Sequence, residues 1–552
     1  IGQFFHEFGI TIVATVLISM FVSFTLDPML SSVWHDPAIH AHGEHGKKGL
    51  YDKTLGRVTA WVERSSDKLS DFYQSILRWA LRRKLLTLFL ALLIFIASIA
   101  LVPLLGTEFV PKADFSETQV SFNTPEGSSI EATEAKAKQV NDVLRALPEV
   151  RYTLTSINTG NANGKNYASI YVRLVDRNQR SRSVDELSAQ LRTQLHAIAG
   201  IKVTHVGLRE SVGGQKQVEF SLMGPDLDEL ARLNRIVQER IQSIPGLVDL
   251  DSSLKPNKPM VNIEVHRDQA ADLGLSIGSM AGALRTWVAG QTVGNWRASD
   301  DQTYDVNVRL TPEARTTPQD LERLPFALSA SDGSTRIVRL NQVASVVDST
   351  GPSQINRRNL NREVAINANV YQRSTGEVSA DIKKALATIP MPPGYSYQFS
   401  GAAKNMEESF SYAISALVLA IIFIYMILAS QFKSFLQPLA LMTSLPLTLI
   451  GVVLALMMFG SALSMFSIIG VVMLMGLVTK NAILLVDFAI RAREPHIDQA
   501  TGQTTPGLPR SDALLLAAQV RLRPILMTTL AMIFGMVPLA FAVTEGSEQR
   551  AP

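Results

Sequence analysis

Long apolar runs alternate along this chain with one extended stretch of mixed pattern. Six stretches, at about 9–30, 84–104, 409–429, 437–459, 463–490 and 521–543, approach or exceed the ~20 mostly apolar residues a helix needs to cross a bilayer. The run from Tyr412 to Ser430 carries no charge, and neither does the run from Ser434 to Thr479. Helices buried in a soluble protein do not need such runs, so the pattern predicts six membrane spans. Lys and Arg in the flanks set the orientation. The segment 31–83 is rich in both (Lys47, Lys48, Arg64, Lys68, Arg82 and Arg83 among them), the link between the third and fourth spans holds Lys433, and the link before the sixth holds Arg491, Arg493 and Arg510. These three alternate correctly as cytoplasmic loops, which places 105–408 on the other side. Within the first loop, Leu55, Val58, Val62, Leu69, Phe72 and Ile76 mark residues 55–80 as an amphipathic helix lying on membrane lipid.

The outer segment repeats itself. Around Gln119 the chain reads QVSF, then a helical stretch, then LPEV; around Gln217 it reads QVEF, a helical stretch, then IPGLV. Two weaker copies run from Ala168 to Val206 and from Val364 to Phe399. Period-two alternation marks the strands, and Val140, Leu144 and Leu147, or Leu230, Leu233, Val237 and Ile241, mark the helices at 3.6-residue spacing. Paired, the copies predict two ferredoxin-like βαββαβ subdomains. The first covers 113–213. The second covers 214–255 and 362–400, split by an α+β insert at 256–361 whose place at one end suits docking. The fold class expected is thus an α+β membrane protein with six transmembrane helices. A cleft between two such units is a common ligand site, and Phe220, Tyr171 and the loop Asn158–Lys165 are candidates to face it. Each also has a plain structural reading, as core or as turn.

Composition sharpens this picture. The apolar share is 47% and the charged share 18%, below the roughly 25% of ordinary globular domains. A net charge of +3 gives no reason to expect nucleic acid, and with no cysteine there is no thiolate chemistry or disulfide. His35, His40, His42 and His45 cluster, but Pro37, Gly43 and Gly46 among them read as a solvated linker rather than a metal site. No phosphate loop is present, so ATP is not expected as an energy source. No nucleophile or metal constellation suggests an enzyme. The chain opens at Ile1 without a signal-peptide pattern and stops at Pro552 just beyond a span, so it is expected to be a fragment.

Lys480 is the sharpest single feature. It sits inside the fifth span, in GLVTKNAILLVDF, ~16 Å from Arg491 at ~1.5 Å per residue. An unpaired ammonium at that depth costs about 2.5–3.5 kcal/mol or more, so it needs a counter-charge. Asp487 and Asp27 both lie near the cytoplasmic surface rather than at this depth. Partner carboxylates are therefore expected from helices outside this chain. A lysine facing acids in such a site works as a proton switch, with a fixed structural ion pair as the alternative. Thr528 and Asn481 can hydrogen-bond in the same bundle. Arg521 and Arg523, which begin the sixth span, serve either this site or ordinary anchoring.

The motifs TKNAILLVDF, RLRPILMTTL (Arg521–Leu530) and GTEFVP (Gly106–Pro111), with the order of span, cytoplasmic helix, span, large outer segment and four spans, closely resemble the C-terminal half of resistance-nodulation-division (RND) pumps. The resemblance implies a multi-pass protein of the bacterial inner membrane, a homotrimer driven by the proton gradient without a cofactor. It also implies a periplasmic adaptor and an outer-membrane channel as partners. Lys480, Arg521 and Thr528 fall on the family's proton relay, Phe220 falls near a substrate-pocket phenylalanine, and the two repeat units fall on porter subdomains. Metal-exporting members rely on methionines; here 113–213 has none and the second unit has Met223 and Met391, which favours export of amphiphilic organic compounds. Export of metals, siderophores or lipids is the alternative, and a protein-secretion accessory subunit is a more distant one.

Overall fold

A computed structural model describes residues 2–33, 50–159, 164–208, 216–329, 335–497, 504–542 and 545–549. The His35–His45 tract and part of the Asn158–Lys165 loop lie outside the described residues, as do the side chains of Leu55, Val58 and Val62.

Among the described residues, six helices are long and apolar enough to span a membrane. The first is α1 (Gly2–Val33), followed by the amphipathic α2 (Leu50–Arg82) and by α3 (Lys84–Leu101), which continues as a short 3-10 turn to Leu104. Leu69, Phe72 and Ile76 of α2 are exposed. The chain then leaves the apolar zone and builds β1 (Glu117–Asn123), α4 (Ile130–Arg145), β2 (Val150–Ile157), β3 (Tyr167–Leu174), α5 (Val184–His196) and β4 (Lys202–Gly207). The sheet order is β2-β3-β1-β4, all antiparallel, with both helices on one face. Alternation explains the layering. Val120 and Phe122 of β1 point into the core with Ala168, Ile170, Val172 and Leu174 of β3, while Gln119, Ser121, Ser169 and Tyr171 line the opposite face. Ser183 and Glu186 cap α5 reciprocally, which sets where that helix starts.

The second unit repeats the plan with β5 (Val218–Gly224), α6 (Leu227–Ile241) and β6 (Leu247–Ser252). The insert follows: β7 (Lys258–Val265), α7 (Arg267–Asp272), α8 (Ile277–Val288), β8 (Gln291–Arg297), β9 (Thr303–Val308), α9 (Pro318–Glu322), β10 (Pro325–Ser329), β11 (Thr335–Arg339) and β12 (Ala344–Gly351). Its core gathers Met280, Phe326, Val338 and Leu340. β7 pairs with β12 over eight residues, from Lys258–Gly351 to Val265–Ala344, so the chain enters and leaves the insert side by side. A short β13 (Asn356–Arg358) turns into β14 (Asn361–Val370), then α10 (Thr375–Ala387) and β15 (Ser396–Ser400) complete the second sheet. β14 lies between β6 and β5, and β15 closes the far edge. The order of the four long strands, β6-β14-β5-β15, is the same as in the first unit.

β15 runs into α11 (Gly401–Phe432), which starts well before the apolar run and carries Lys404, Glu407 and Glu408 outside it. The next span is broken into α12 (Leu436–Met442) and α13 (Ser444–Phe459). Pro446 sits in the first turn of α13, where its missing N–H is harmless. α14 (Met465–Arg493) and α15 (Arg510–Ala540) complete the bundle and pack against each other, and α2 packs on α15. α15 begins eleven residues before the expected Arg521, because Ala513, Ala517 and Ala518 bury a small-residue face that a hydropathy reading does not register.

The core of the first unit yields a direct test. Leu195 is fully buried beneath the first sheet. Leu195→Ala should cost about 2–5 kcal/mol by the transfer and cavity terms. The expected result is a lower denaturant midpoint for β1–β4, read by hydrogen exchange on the solubilised protein, with α11–α15 unaffected.

Candidate membrane relay site

Lys480 lies near the middle of the 29-residue α14, whose C-terminal end carries Arg491 and Arg493. It is exposed on the surface of this chain, whereas the preceding Thr479 is buried and turns its hydroxyl back to the carbonyls of Met475 and Gly476, at 3.1 and 2.9 Å. Asp487 is engaged one turn further on by Arg491 at 3.0 Å. Among the described residues no ion pair includes Lys480, and Asp27 stands on the exposed α1.

Arg521 places α15 against α14. Its guanidinium lies over the Phe488 ring, 5.1 Å from the centroid, a cation–π contact that lets a cation rest against an apolar helix. This contact fixes the register of the antiparallel pair. Seven residues outward from Phe488 is Asn481, and seven outward from Arg521 is Thr528, each ~10.5 Å further along its helix. Thr528 therefore shares the level of Lys480, with Arg521 about two turns nearer the Arg491 end of α14. Thr528 is exposed, and its hydroxyl donates to the Ile525 carbonyl at 3.0 Å. Pro524 lies between Arg521 and Thr528 and cannot donate to the carbonyl four residues earlier, as Pro538 cannot further along α15. The Nε of Arg521 is buried without a hydrogen-bond partner among the described residues. Three polar side chains thus occupy one helix pair, two of them at mid-span.

Outside the membrane the candidates fare differently. Phe220 does not face a cleft. It is 1% exposed in the core of the second unit, 5.4 Å from the Phe399 ring, because β5 turns Val218, Phe220 and Leu222 together toward α6 and α10. The polar face of that strand carries Glu219 and Ser221 instead. Tyr171 is half-buried on the polar face of the first sheet and donates to Glu117 at 2.7 Å. Asn158, at φ 55°, accepts from the Gly164 amide at 3.0 Å, a local closure of its loop. A cavity of about 330 Å³ at the base of the first unit is lined by Lys112, Asp114, Arg177, Arg180 and Arg182. Each cation there already has an acid, with Lys112 on Asp185 and Arg180 on Asp114, so the cluster serves structure. Sequence reasoning missed a buried polar group at the junction of the units, formed by Arg192, His205, Lys216, Asp249 and Asn369. These residues come from separate elements, and no spacing announces them.

The sequence profile of the AcrB/AcrD/AcrF family matches residues 1–552. The chain belongs to that family. Its fold is similar to two crystal forms of a heavy metal efflux pump, with TM-scores of 0.76 and 0.74 at 21% identity in both. The alignments cover 88% of this chain and 49% and 48% of those chains, so it spans about half the length of the structures it resembles. Membership makes this an RND-family chain, with membrane helices and a mixed α+β outer part.

The contact between α2 and α15 gives a contrast that can be measured. Arg523 reaches Asp67 at 3.5 Å with side chains 57% and 72% exposed, a geometry worth a few tenths of a kcal/mol. Asp67→Asn should leave the unfolding midpoint of the solubilised protein unchanged within error. Phe488→Leu, which removes the ring under Arg521, should lower that midpoint by the equivalent of about 0.5–2 kcal/mol of unfolding free energy.

Proposed function

We propose that this chain contributes the C-terminal half of a proton-driven exporter of amphiphilic organic compounds in the bacterial inner membrane. One observation carries the reading: an ammonium at mid-span, on the outer surface of the helix bundle, away from the acids of its own chain. In this reading its cost in hydrocarbon is relieved by carboxylates on a helix outside this chain. With those acids ionised, Lys480 pairs with them. When an acid takes up a proton the pair breaks, the lysine moves away, and Thr528 at the same depth offers a hydroxyl to the freed group. Arg521, nearer the cytoplasm, supplies positive potential along the proton's exit.

The same membership supports a reading of the rest of the assembly. The two α/β units act as porter subdomains, and the insert serves as part of a funnel that meets an outer-membrane channel. A homotrimer with a periplasmic adaptor completes the pump. Such a protein draws energy from the proton gradient and performs no covalent chemistry.

Substrate class rests on donor chemistry. The first unit has no methionine, and in the second Met391 packs in the core and Met223 lies half-buried on β5. Among the described residues no three His, Asp or Glu side chains converge on a metal-sized site. A second reading, metal export, is favoured by the heavy metal pumps whose fold this chain shares.

In the intact pump, Lys480→Ala should reduce dye efflux to the level of cells lacking the pump, with expression and trimer assembly unchanged. Thr528→Val should impair efflux and Thr528→Ser should restore most of it, since only the hydroxyl differs. Full efflux by Lys480→Ala would remove the relay. Susceptibility tests separate the substrate readings. Deletion of the pump should sensitise cells to dyes and detergents; sensitisation to copper and silver alone would establish the metal reading instead.

A further inference from the structure

The two α/β units meet along their edge strands, β4 of the first and β6 of the second, yet no backbone ladder joins them. Each strand is bulged at the meeting point. In β4 the pairing to β1 slips between Ser121–His205 and Phe122–Val203, leaving Thr204 as the extra residue. In β6 the pairing to β14 slips across Asp249, which adopts a left-handed φ of 54°. Bulges at an edge re-aim side chains and prevent strand addition.

Side chains replace the missing ladder. The Lys216 ammonium donates to the carbonyls of Thr204 and Asp249, at 2.6 and 2.7 Å, and so ties one edge to the other. The Asp249 carboxylate accepts from the Val206 amide at 3.1 Å and from Arg192 of α5 at 2.9 and 3.1 Å; Arg192 also donates to the Val206 carbonyl. Asn369 of β14 donates from one Nδ2 both to Asp249 at 2.7 Å and to Nδ1 of His205 at 2.9 Å. Nε2 of His205 lies 3.2 Å from the Gly207 carbonyl, which makes Nε2 the protonated nitrogen and Nδ1 the acceptor. His205 and Lys216 are each 7% exposed.

This arrangement has no place for a second proton on His205. An Nδ1–H would face the Asn369 amino group. Rotating that amide by half a turn would satisfy the imidazolium but would set Oδ1 against the Asp249 carboxylate. We propose that the junction is an acid-sensitive seam: a proton on His205 draws Asp249 away from Val206 and Asn369, and β4 then parts from β6.

The surrounding charges agree with this. Facing His205 are Arg192 from α5, Asp249 from β6 and Lys216 from the turn before β5; Glu219 on β5 accepts from the Lys216 amide. Further out, Asp251 of β6 is held by Lys202 and Lys255 at 3.1 and 2.8 Å. Burial, reinforced by Lys216, lowers His205 to about 4. Burial lowers Lys216 to about 8, so it stays charged through the acid range. Burial opposes the Asp249 carboxylate, but Arg192, Asn369 and the Val206 amide hold it below its usual value. Because the folded value of His205 lies below its ordinary ~6.5, the seam is at full strength above pH ~6.5 and weakens as the pH falls toward 4.

Hydrogen exchange on the full-length protein in nanodiscs tests the seam without reference to transport. After correction for intrinsic rates, the Val206 amide, whose hydrogen bond to Asp249 crosses the seam, should exchange at least about tenfold faster at pH 5 than at pH 7.5, with β1 and β3 unchanged. His205→Asn keeps an acceptor facing Asn369 but cannot titrate, and should abolish the difference. Asn369→Asp gives the imidazolium a partner and should reverse or flatten it. Equal exchange of the wild type at both pH values, or an undiminished acid effect in both variants, would overturn the proposal.

Discussion

A charge held in hydrocarbon constrains everything around it. Lys480 cannot reach the headgroups from mid-span, so α14 must be packed where a counter-charge is available, and the helices beside it must arrive in register. The Arg521–Phe488 contact shows how that register is kept with one cation and one ring. The short hydroxyl of Thr528 then arrives at the right depth without further apparatus. Because Lys480 faces out of this chain's bundle, a counter-charge for it has to come from a second surface. Such a pair is sensitive to small displacements of the helices that carry it.

The outer part is governed by a different economy. Two units with the same strand order each close their own core, and each leaves one sheet face and one sheet edge polar. The cores are independent: Leu144 and Leu195 serve one, Leu233 and Ile382 the other. What joins the units is hydrogen-bonded charge rather than apolar packing. Charge-assisted contacts of this kind are directional, and they can be exchanged for others at similar energy.

Much of this architecture was legible in the chain itself, and the failures have physical causes. The apolar runs located the six described helices that are long and apolar enough to cross a membrane, because few other elements need ~20 apolar residues in sequence. Their ends were less visible. α11 extends back to Gly401 through charged residues that an apolar window excludes, and the break at Thr443 between α12 and α13 depends on local backbone geometry. In the outer part, alternation in QVSF and QVEF marked strands that the structure contains. The same alternation carried the answer for Phe220, since Val218, Phe220 and Leu222 form the apolar set of β5 and must face their own helices. The junction group was beyond reach. His205 and Asp249 meet only because two bulges shift the register by one residue each, and a bulge leaves little trace in composition. At Lys480 the sequence supplied depth and chemistry, whereas the level of Thr528 relative to it required the packing of α14 on α15.

The paired strands β7 and β12 bear on mechanics. A two-stranded antiparallel ribbon bends readily across its thin direction, while the rungs of its ladder keep its two strands from moving independently. The insert is carried on such a stem, rooted close to β6 at one end and to β14 at the other. Displacement of the second unit therefore reaches the insert through one paired stem rather than two separate linkers, and tilting is absorbed in that stem.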